Sequence, residues 1–181
     1  MSGGTFYAAR YDSPVGRLTL AGTGEGLAGL WLEGQKYFGG SLVERLVPGG
    51  DQPVLAQARD WLDRYFAGAR PDPRELPLAP VGGEFRQAVW KLLLDIPYGR
   101  TETYGELARR LAALRGLASM SAQAVGGAVG HNPISIVIPC HRVVGSGGSL
   151  TGYAGGVDKK RWLLSHEGVD VSGLTAPRRD T

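Results

Sequence analysis

The chain has a single cysteine, Cys140, which lies between a proline and His141 in the segment IVIPCHRVVGSGGSLTGYAGG, residues 136–156. A thiol becomes a nucleophile when a nearby base or positive charge stabilises the thiolate. An imidazole serves as that base when a carboxylate orients it. His166 and Glu167 lie in a later, separate predicted helix. These residue types predict thiolate chemistry at Cys140, provided that the fold brings them together.

Two other interpretations of the same residues stay open at this point, and a third is disfavoured. A lone cysteine is commonly a small buried apolar residue, and a hydrolase with a Cys–His pair would use the same residue types. Successive residues of a strand point to opposite faces, so a direct Cys140–His141 pair requires a backbone turn or a bridging water. A metal site is not expected, because one cysteine and three histidines show no paired ligand spacing. We therefore expect no metal and no cofactor.

The composition is that of an ordinary soluble globular protein, with 43% apolar and 20% charged residues. We find no run of about 18 apolar residues that could span a membrane, and the N-terminal residues do not resemble a signal peptide. One cysteine cannot form an internal disulfide, in agreement with a reducing compartment. We expect a cytoplasmic protein.

The net charge of +3 is unevenly distributed along the chain. Residues 1–80 have 8 Lys or Arg against 9 Asp or Glu, a balance of −1, whereas residues 81–181 have 12 against 8, a balance of +4. This difference favours a polyanionic partner for the C-terminal part.

The N-terminal part is predicted to be a β-meander followed by a helix. Three short apolar runs within residues 5–34 are separated by SPVG and TGEG, which are turn sequences. Residues 55–68 have helical apolar spacing at Leu55, Ala58, Leu62, Tyr65 and Phe66, and end at a glycine. Residues 69–80 contain four prolines and are predicted to be an interdomain linker.

The C-terminal part is predicted to begin with three helices. The first has Phe85, Val89, Leu92 and Leu93 on one face; the second has Thr103 and Glu106 at capping-box spacing and an apolar stripe of Leu107, Leu111 and Leu114. The third, residues 121–130, starts at a capping serine and has mostly small residues. The last two helices fit a helix-turn-helix. The small residues permit either a close approach to phosphates or tight helix packing, and spacing alone does not decide between them.

The segment around the cysteine is predicted to be a buried strand, ISIVIP (residues 134–139), followed by a glycine-rich loop and a last helix. That helix has Lys159, Lys160 and Arg161 in its first turn, where positive charge opposes the helix dipole. We interpret these cations as surface residues near which phosphates pass.

The motifs in this half resemble those of the O6-alkylguanine-DNA alkyltransferases. IPYGRTETYGELA, AVGGAVGHNP, IPCHRVV, GYAGG and KKRWLLSHEG occur in the order and spacing of that family, and the resemblance covers residues 85–168. The N-terminal part is similar only in its pattern of strands and a helix.

The resemblance implies a suicide repair protein in which Cys140 accepts an alkyl group irreversibly from a base flipped out of DNA. It implies that His141 acts as base through a bridging water, that Glu167 orients His141, and that Asn132 holds the hinge before the active-site segment. From the residues alone, Asn132 is equally an ordinary Asn-Pro turn. Arg142 is expected to brace the local fold.

The resemblance also implies the residues that contact substrate and DNA. Tyr104 would bond the flipped purine and press on its phosphate, although its sequence context alone favours a half-buried helix aromatic. Backbone groups of Cys140, Val143 and Ala154 would contact the guanine edge, with Tyr153 shaping the wall. In the recognition helix we expect DNA contacts from Ser121, Gln123, Ala124 and Gly127. Gln123 occupies the position at which many members have an intercalating arginine, and it brings no charge.

The resemblance thus implies an α/β plus α architecture: an RNase H-like α/β domain (residues 1–80, including the linker), a winged helix-turn-helix-like DNA-binding and active-site domain (81–172), and a polar tail (173–181). The implied activity is single-turnover transfer of an alkyl group from O6 of guanine to Cys140, with O4 of thymine as a second candidate atom. The implied partner is double-stranded DNA carrying O6-alkylguanine, bound by a monomer, with cooperative binding left open. The alternative is a lesion-binding damage sensor that transfers nothing.

Overall fold

The computed structural model describes residues 5–49, 51–150 and 153–175. The chain divides into two compact units. The first contains the described residues up to Val81 together with Pro133–Val137, and the second contains Gly82–Asn132 and the described residues from Ile138 onward. Residues 133–137, which we predicted to lie within the second domain, thus belong to the first unit.

The first unit is built on a four-stranded sheet. Strands β1 (Phe6–Ser13), β2 (Gly16–Thr23) and β3 (Gly26–Leu32) form the predicted antiparallel meander, and the short β4 (Leu46–Pro48) pairs in parallel with β1. The order across the sheet is β3-β2-β1-β4. Every residue of β3 is buried, as expected for a strand without a solvent-facing side.

The outer edge of β3 is covered by two segments from elsewhere in the chain. The backbone of Leu27 bonds to Pro77 and Ala79 at 2.7 and 2.8 Å, and that of Leu30 bonds to Pro133 and Ser135 at 2.8 and 3.0 Å. These bonds satisfy backbone groups that an open edge would expose. The proline-rich residues 69–80, predicted to be a linker, therefore contribute to the edge of this sheet.

Helix α1 (Pro53–Phe66) packs an amphipathic face in the first unit. It buries Val54, Leu55, Ala58, Trp61, Leu62 and Tyr65, a set with helical spacing. Trp61 and Tyr65 stack with ring centroids 5.5 Å apart. The prediction of this helix from its periodicity is confirmed.

The second unit contains the three predicted helices, α2 (Glu84–Leu93), α3 (Tyr104–Leu114) and α4 (Ala122–Gly130). The predicted caps are present: the Thr103 hydroxyl accepts from the Glu106 amide, and the Ser121 hydroxyl accepts from the Ala124 amide. Trp90 of α2 donates to the carbonyl of Ala128 in α4 at 2.9 Å. No helix among the described residues is long and apolar enough to cross a membrane.

The apolar stripe predicted for α3 is correct for Leu107 and Leu111 but wrong for Leu114, which is 72% exposed. Leu114 is the last residue of the helix, and the chain then turns at Gly116, whose φ is 66°. The stripe therefore ends one turn earlier than its spacing indicates.

The predicted buried strand at residues 134–139 is wrong in conformation and right in burial. Ile134–Ile138 and Cys140 are all buried, but the only pairing in this segment is an isolated bridge from Ile134 to Leu30. Ile136 has a φ of 71°, and the amide of Val137 bonds to Ser135 at 2.8 Å, which makes a γ-turn. A β-branched residue at positive φ costs of order 1–3 kcal/mol.

The remaining elements of the second unit are a two-stranded sheet and a C-terminal helix. Strands β5 (Glu102–Thr103) and β6 (Val143–Val144) pair in parallel, and α5 spans Val157–His166. Thr175 of the predicted polar tail pairs with Ser149, and residues 176–181 of that tail lie outside the described residues.

Candidate active site

The backbone turns twice around Cys140. The side chains of Cys140 and His141 are therefore not held on opposite faces, as they would be in a strand. Pro139 has φ −82° and ψ 64°, and the amide of Cys140 bonds to the carbonyl of Ile138 at 2.8 Å, the geometry of an inverse γ-turn. Residues Cys140–Arg142 then form one turn of 3₁₀ helix. Cys140 is therefore displayed at the start of a helical turn rather than along a strand, and it is 95% buried by the residues around it, with 5% exposure.

His141, Arg142 and Glu167 form a buried hydrogen-bonded cluster. Nε2 of His141 lies 2.6 Å from Oε2 of Glu167, and Nε of Arg142 donates to Oε1 at 2.7 Å. Arg142 also donates through Nη2 to Oε2 at 3.2 Å and through Nη1 to the carbonyl of Ile96 at 2.7 Å. Glu167 directly follows α5 and His141 lies in the 3₁₀ turn, so this cluster joins the end of α5 to the cysteine segment.

The electrostatics of the cluster assign the proton on His141. Burial opposes ionisation of Glu167, but His141 and Arg142 hold its pKa well below the ordinary value. Burial lowers the pKa of His141 despite the neighbouring carboxylate, which favours the neutral imidazole. Because an ionised carboxylate only accepts, Nε2 of His141 carries the hydrogen and Nδ1 is left as the basic nitrogen. Nδ1 is buried and has no hydrogen-bond partner among the described residues.

Lys160 lies in the same site, contrary to the expectation that it is a surface residue. It is 0% exposed, and its ammonium donates to the backbone carbonyl of Val143. Burial lowers the pKa of Lys160 to about 8, and a negative charge on Cys140 acts in the opposite direction. A thiolate at Cys140 and the Lys160 cation would therefore stabilise each other.

Two tyrosines flank this lysine. The ring centroids of Tyr104 and Tyr153 are each 5.9 Å from Nζ of Lys160, within the range of a cation–π contact. Burial, and secondly the charge of Cys140, raises the pKa of both phenols, so both are neutral donors near the sulfur. The hydroxyl oxygen of Tyr153 is buried and has no partner among the described residues.

Asn132 holds the backbone at the point where the cysteine segment begins. Its side-chain amide donates to the carbonyl of Ile138 at 2.8 Å, and the residue is buried. Asn132 and Ile138 are the last and first residues of the second unit on either side of residues 133–137. This hydrogen bond joins the two residues that flank residues 133–137, and it fixes the start of the turn that contains Cys140.

Two of the residues predicted to contact the substrate through their backbone are Val143 and Ala154. Val143 is buried in β6, where its carbonyl accepts from Lys160, and a carbonyl retains a second lone pair for another donor. Its amide donates to the carbonyl of Cys140. Ala154 is half-buried beside Tyr153 in the chain.

The residues predicted to contact DNA share the N-terminal, exposed side of α4. Ser121, Gln123, Ala124 and Gly127 are all exposed, while Val125, Ala128 and Val129 form the buried face. A Cβ added at Gly126 would lie 3.6 Å from the Tyr104 ring, an ordinary contact distance. Packing therefore does not require a glycine at position 126, nor at position 127, where an added Cβ would meet nothing within 4 Å.

Sequence reasoning missed Lys160 as part of the site, although a signal was present. The buried residues of α5 are Lys160, Leu163 and Leu164, and Glu167 follows at the next position of the same helical stripe. A cation within an otherwise apolar stripe indicates a buried charge, and we weighed only its place in the first turn. The predicted bracing role of Arg142 agrees with its bonds to Glu167 and Ile96.

Comparison with known proteins identifies both halves of the chain. Residues 84–169 match the model of the 6-O-methylguanine DNA methyltransferase DNA-binding domain, and residues 6–80 match the ribonuclease-like domain of the same family. The fold is thus an N-terminal ribonuclease-like α/β domain followed by a helical DNA-binding domain.

Curated relatives and solved structures agree with the family models. A methylated-DNA–protein-cysteine methyltransferase of Mycobacterium tuberculosis is 46% identical over 156 residues, 86% of this chain and 88% of the relative. That of Haemophilus influenzae is 40% identical over 163 residues, 90% of this chain and 87% of the relative. A crystal structure of Mycobacterium tuberculosis OGT in complex with DNA is similar with a TM-score of 0.76 and 44% identity, covering 89% of this chain and 92% of that one. The chain belongs to the 6-O-methylguanine DNA methyltransferase family.

Proposed function

We propose that this protein repairs DNA by transferring an alkyl group from O6 of guanine to its own Cys140 in a single, irreversible turnover. The observation that carries the proposal is the joint placement of Cys140, a buried lysine cation and a neutral histidine oriented by Glu167. A thiolate, a base to generate it and a dry surrounding are what displacement at an alkyl carbon requires. The relatives' shared name describes the same chemistry for those proteins.

The proposed reaction begins with loss of the thiol proton. Nδ1 of His141 is the basic nitrogen, and it receives the proton either directly or through a water, while Glu167 stabilises the imidazolium that forms. Lys160 stabilises the sulfur anion, and its own bond to Val143 fixes its position.

The sulfur then attacks the alkyl carbon. A carbon–sulfur bond forms and the carbon–O6 bond breaks, so that the electron pair remains on guanine. Guanine takes up one proton, so the proton lost by the thiol balances the proton gained by the base. The thioether product cannot regenerate a thiolate, which makes the reaction self-inactivating.

We propose that the bound form is double-stranded DNA with the lesion flipped into the site of Tyr104, Tyr153, Val143 and Ala154. From Leu107 to Val157 the sequence has no Asp or Glu, and this run includes all of α4 and the cysteine segment. A chain segment without acidic residues suits contact with a phosphate backbone. In this proposal a monomer of the protein acts, in the cytoplasm, and Asn132 is a positioning residue.

The transfer is tested with a duplex that contains guanine labelled in its O6-methyl group. Wild-type protein should become labelled in proportion to its own amount, and Cys140→Ser should bind the lesion duplex with similar affinity but remain unlabelled. Tight lesion binding by the wild type without labelling would instead support the damage-sensor alternative. If the wild-type protein neither binds the lesion duplex nor becomes labelled, both functions are contradicted.

A further inference from the structure

The end of α3 and the connection that follows it expose two leucines. Leu114 is 72% exposed and Leu117 is 51% exposed; we call these two residues the turn patch. The two leucines are three positions apart in the chain, and exposed apolar surface of this kind is used in interactions when it is contiguous. The turn patch thus spans the end of the first helix and the turn of the helix-turn-helix.

The backbone beneath the turn patch is well fixed. The amide of Leu117 bonds to the carbonyl of Ala112 at 2.9 Å, and Gly116 adopts a φ of 66°, a helix end of the Schellman type. Arg115, between the two leucines, donates to Glu84 of α2 at 2.6 Å and lies over the Phe85 ring at 5.6 Å. The leucines are therefore presented by a braced turn, which lowers the entropic cost of using them in binding.

The turn patch is continuous with the proposed DNA-binding side of α4. Residues 113–119 are all exposed, and the chain reaches the exposed cap Ser121 and then Gln123 through Met120 alone, which is half-buried. This whole stretch lies inside the run without Asp or Glu, and its own charge, Arg115, is paired with the exposed carboxylate of Glu84 from α2. In a helix-turn-helix the turn and the start of the second helix approach the duplex together.

We propose that the turn patch is an apolar DNA contact, in which Leu117 and Leu114 pack against sugars and base edges of the duplex beside the start of α4, at the end of α3 away from Tyr104. The proposal rests on the function proposed above. Base flipping deforms the duplex, and apolar side chains inserted into a groove are one means by which proteins hold a deformed duplex. Gln123 brings no charge to this place, so an apolar contribution from the neighbouring turn supplies binding that does not depend on salt.

The test compares Leu117→Ala and Leu114→Ala with Val43→Ala. Val43 is also 51% exposed but lies in the first unit, so it is a matched control for the loss of exposed apolar surface. Binding to an O6-methylguanine duplex is measured by fluorescence anisotropy at several salt concentrations. We expect each leucine variant to bind about fivefold more weakly, with an unchanged slope of log K against log salt, and Val43→Ala to bind like wild type.

A second readout separates this proposal from the proposed function. Transfer from a free O6-alkylguanine base requires Cys140 but no duplex, and the leucine variants should retain its wild-type rate. Unchanged duplex affinity in both variants would overturn the proposed DNA contact of the turn patch, even if transfer occurs. Loss of concentration-dependent self-association without a change in DNA affinity would also overturn it, since it would assign the leucines to a second copy of the chain. Absence of transfer by wild type would contradict the proposed function instead.

Discussion

Replacing Arg142 by methionine should strongly destabilise the protein without removing any group that contacts the reacting atoms. Arg142 makes two hydrogen bonds to the carboxylate of Glu167, at 2.7 and 3.2 Å, and one to the carbonyl of Ile96 at 2.7 Å. The side chain of Glu167 is fully buried. The variant therefore leaves a buried carboxylate that keeps its bond to His141 but has lost the guanidinium charge.

The expected cost follows from that geometry. Removing one partner of a buried ion pair costs about 3–5 kcal/mol, a large part of the 5–15 kcal/mol by which a domain is ordinarily stable. Adding Glu167→Gln to the same variant removes the buried charge and keeps an acceptor for His141. The double variant should therefore be more stable than Arg142→Met alone, by at least about 1 kcal/mol.

The assay is urea unfolding followed by circular dichroism and by tryptophan fluorescence. Arg115→Met is the matched control in the same unit, since Arg115 also bonds a carboxylate, that of Glu84, at 2.6 Å. Glu84 is 80% exposed, so this control should lose at most about 1 kcal/mol. An Arg142→Met protein no less stable than the control would refute the reasoning. So would a double variant less stable than the single one.

Three further predictions concern the site and the DNA surface. Lys160→Met should slow single-turnover transfer roughly 10–100-fold while lesion binding is retained; an unchanged rate would exclude the cation from thiolate stabilisation. Gln123→Arg should tighten duplex binding and steepen its salt dependence by about one charge, which a salt titration checks. Stability should fall as the pH drops below 6.5, because the pKa of His141 is lowered in the folded state and only the unfolded chain then takes up the proton. It should fall further below pH 4.5 through Glu167, whose pKa is also lowered, and urea midpoints independent of pH would contradict both.

Local chemistry explains why the helices of the second unit could be predicted from the sequence. Ser121 and Thr103 cap α4 and α3 by bonds to residues three positions later, and such short-range signals are readable along the chain. The periodicity of α1 likewise predicted four of its buried residues, although the predicted Phe66 is half-buried and the buried Val54 and Trp61 were not predicted.

The errors arose where distant contacts decide the conformation. A run of β-branched residues at 134–139 has the propensity of a strand, but burial against β3 and the turns at Ile136 and Pro139 override it. The environment of Lys160 could not be derived from spacing either, because Val143, Tyr104 and Tyr153 come from three separate segments. Cys140, His141 and Glu167 were found through the family's motifs, since 25 residues separate His141 from the carboxylate that it contacts.

The most direct measurement is the intact mass of the protein after incubation with excess duplex carrying O6-methylguanine, followed by peptide mapping. We predict one methyl increment per chain, located on the peptide that contains Cys140, and no second increment on further incubation. An unmodified mass under conditions in which the lesion duplex is fully bound would contradict alkyl transfer to Cys140, as would a methyl group on any other residue.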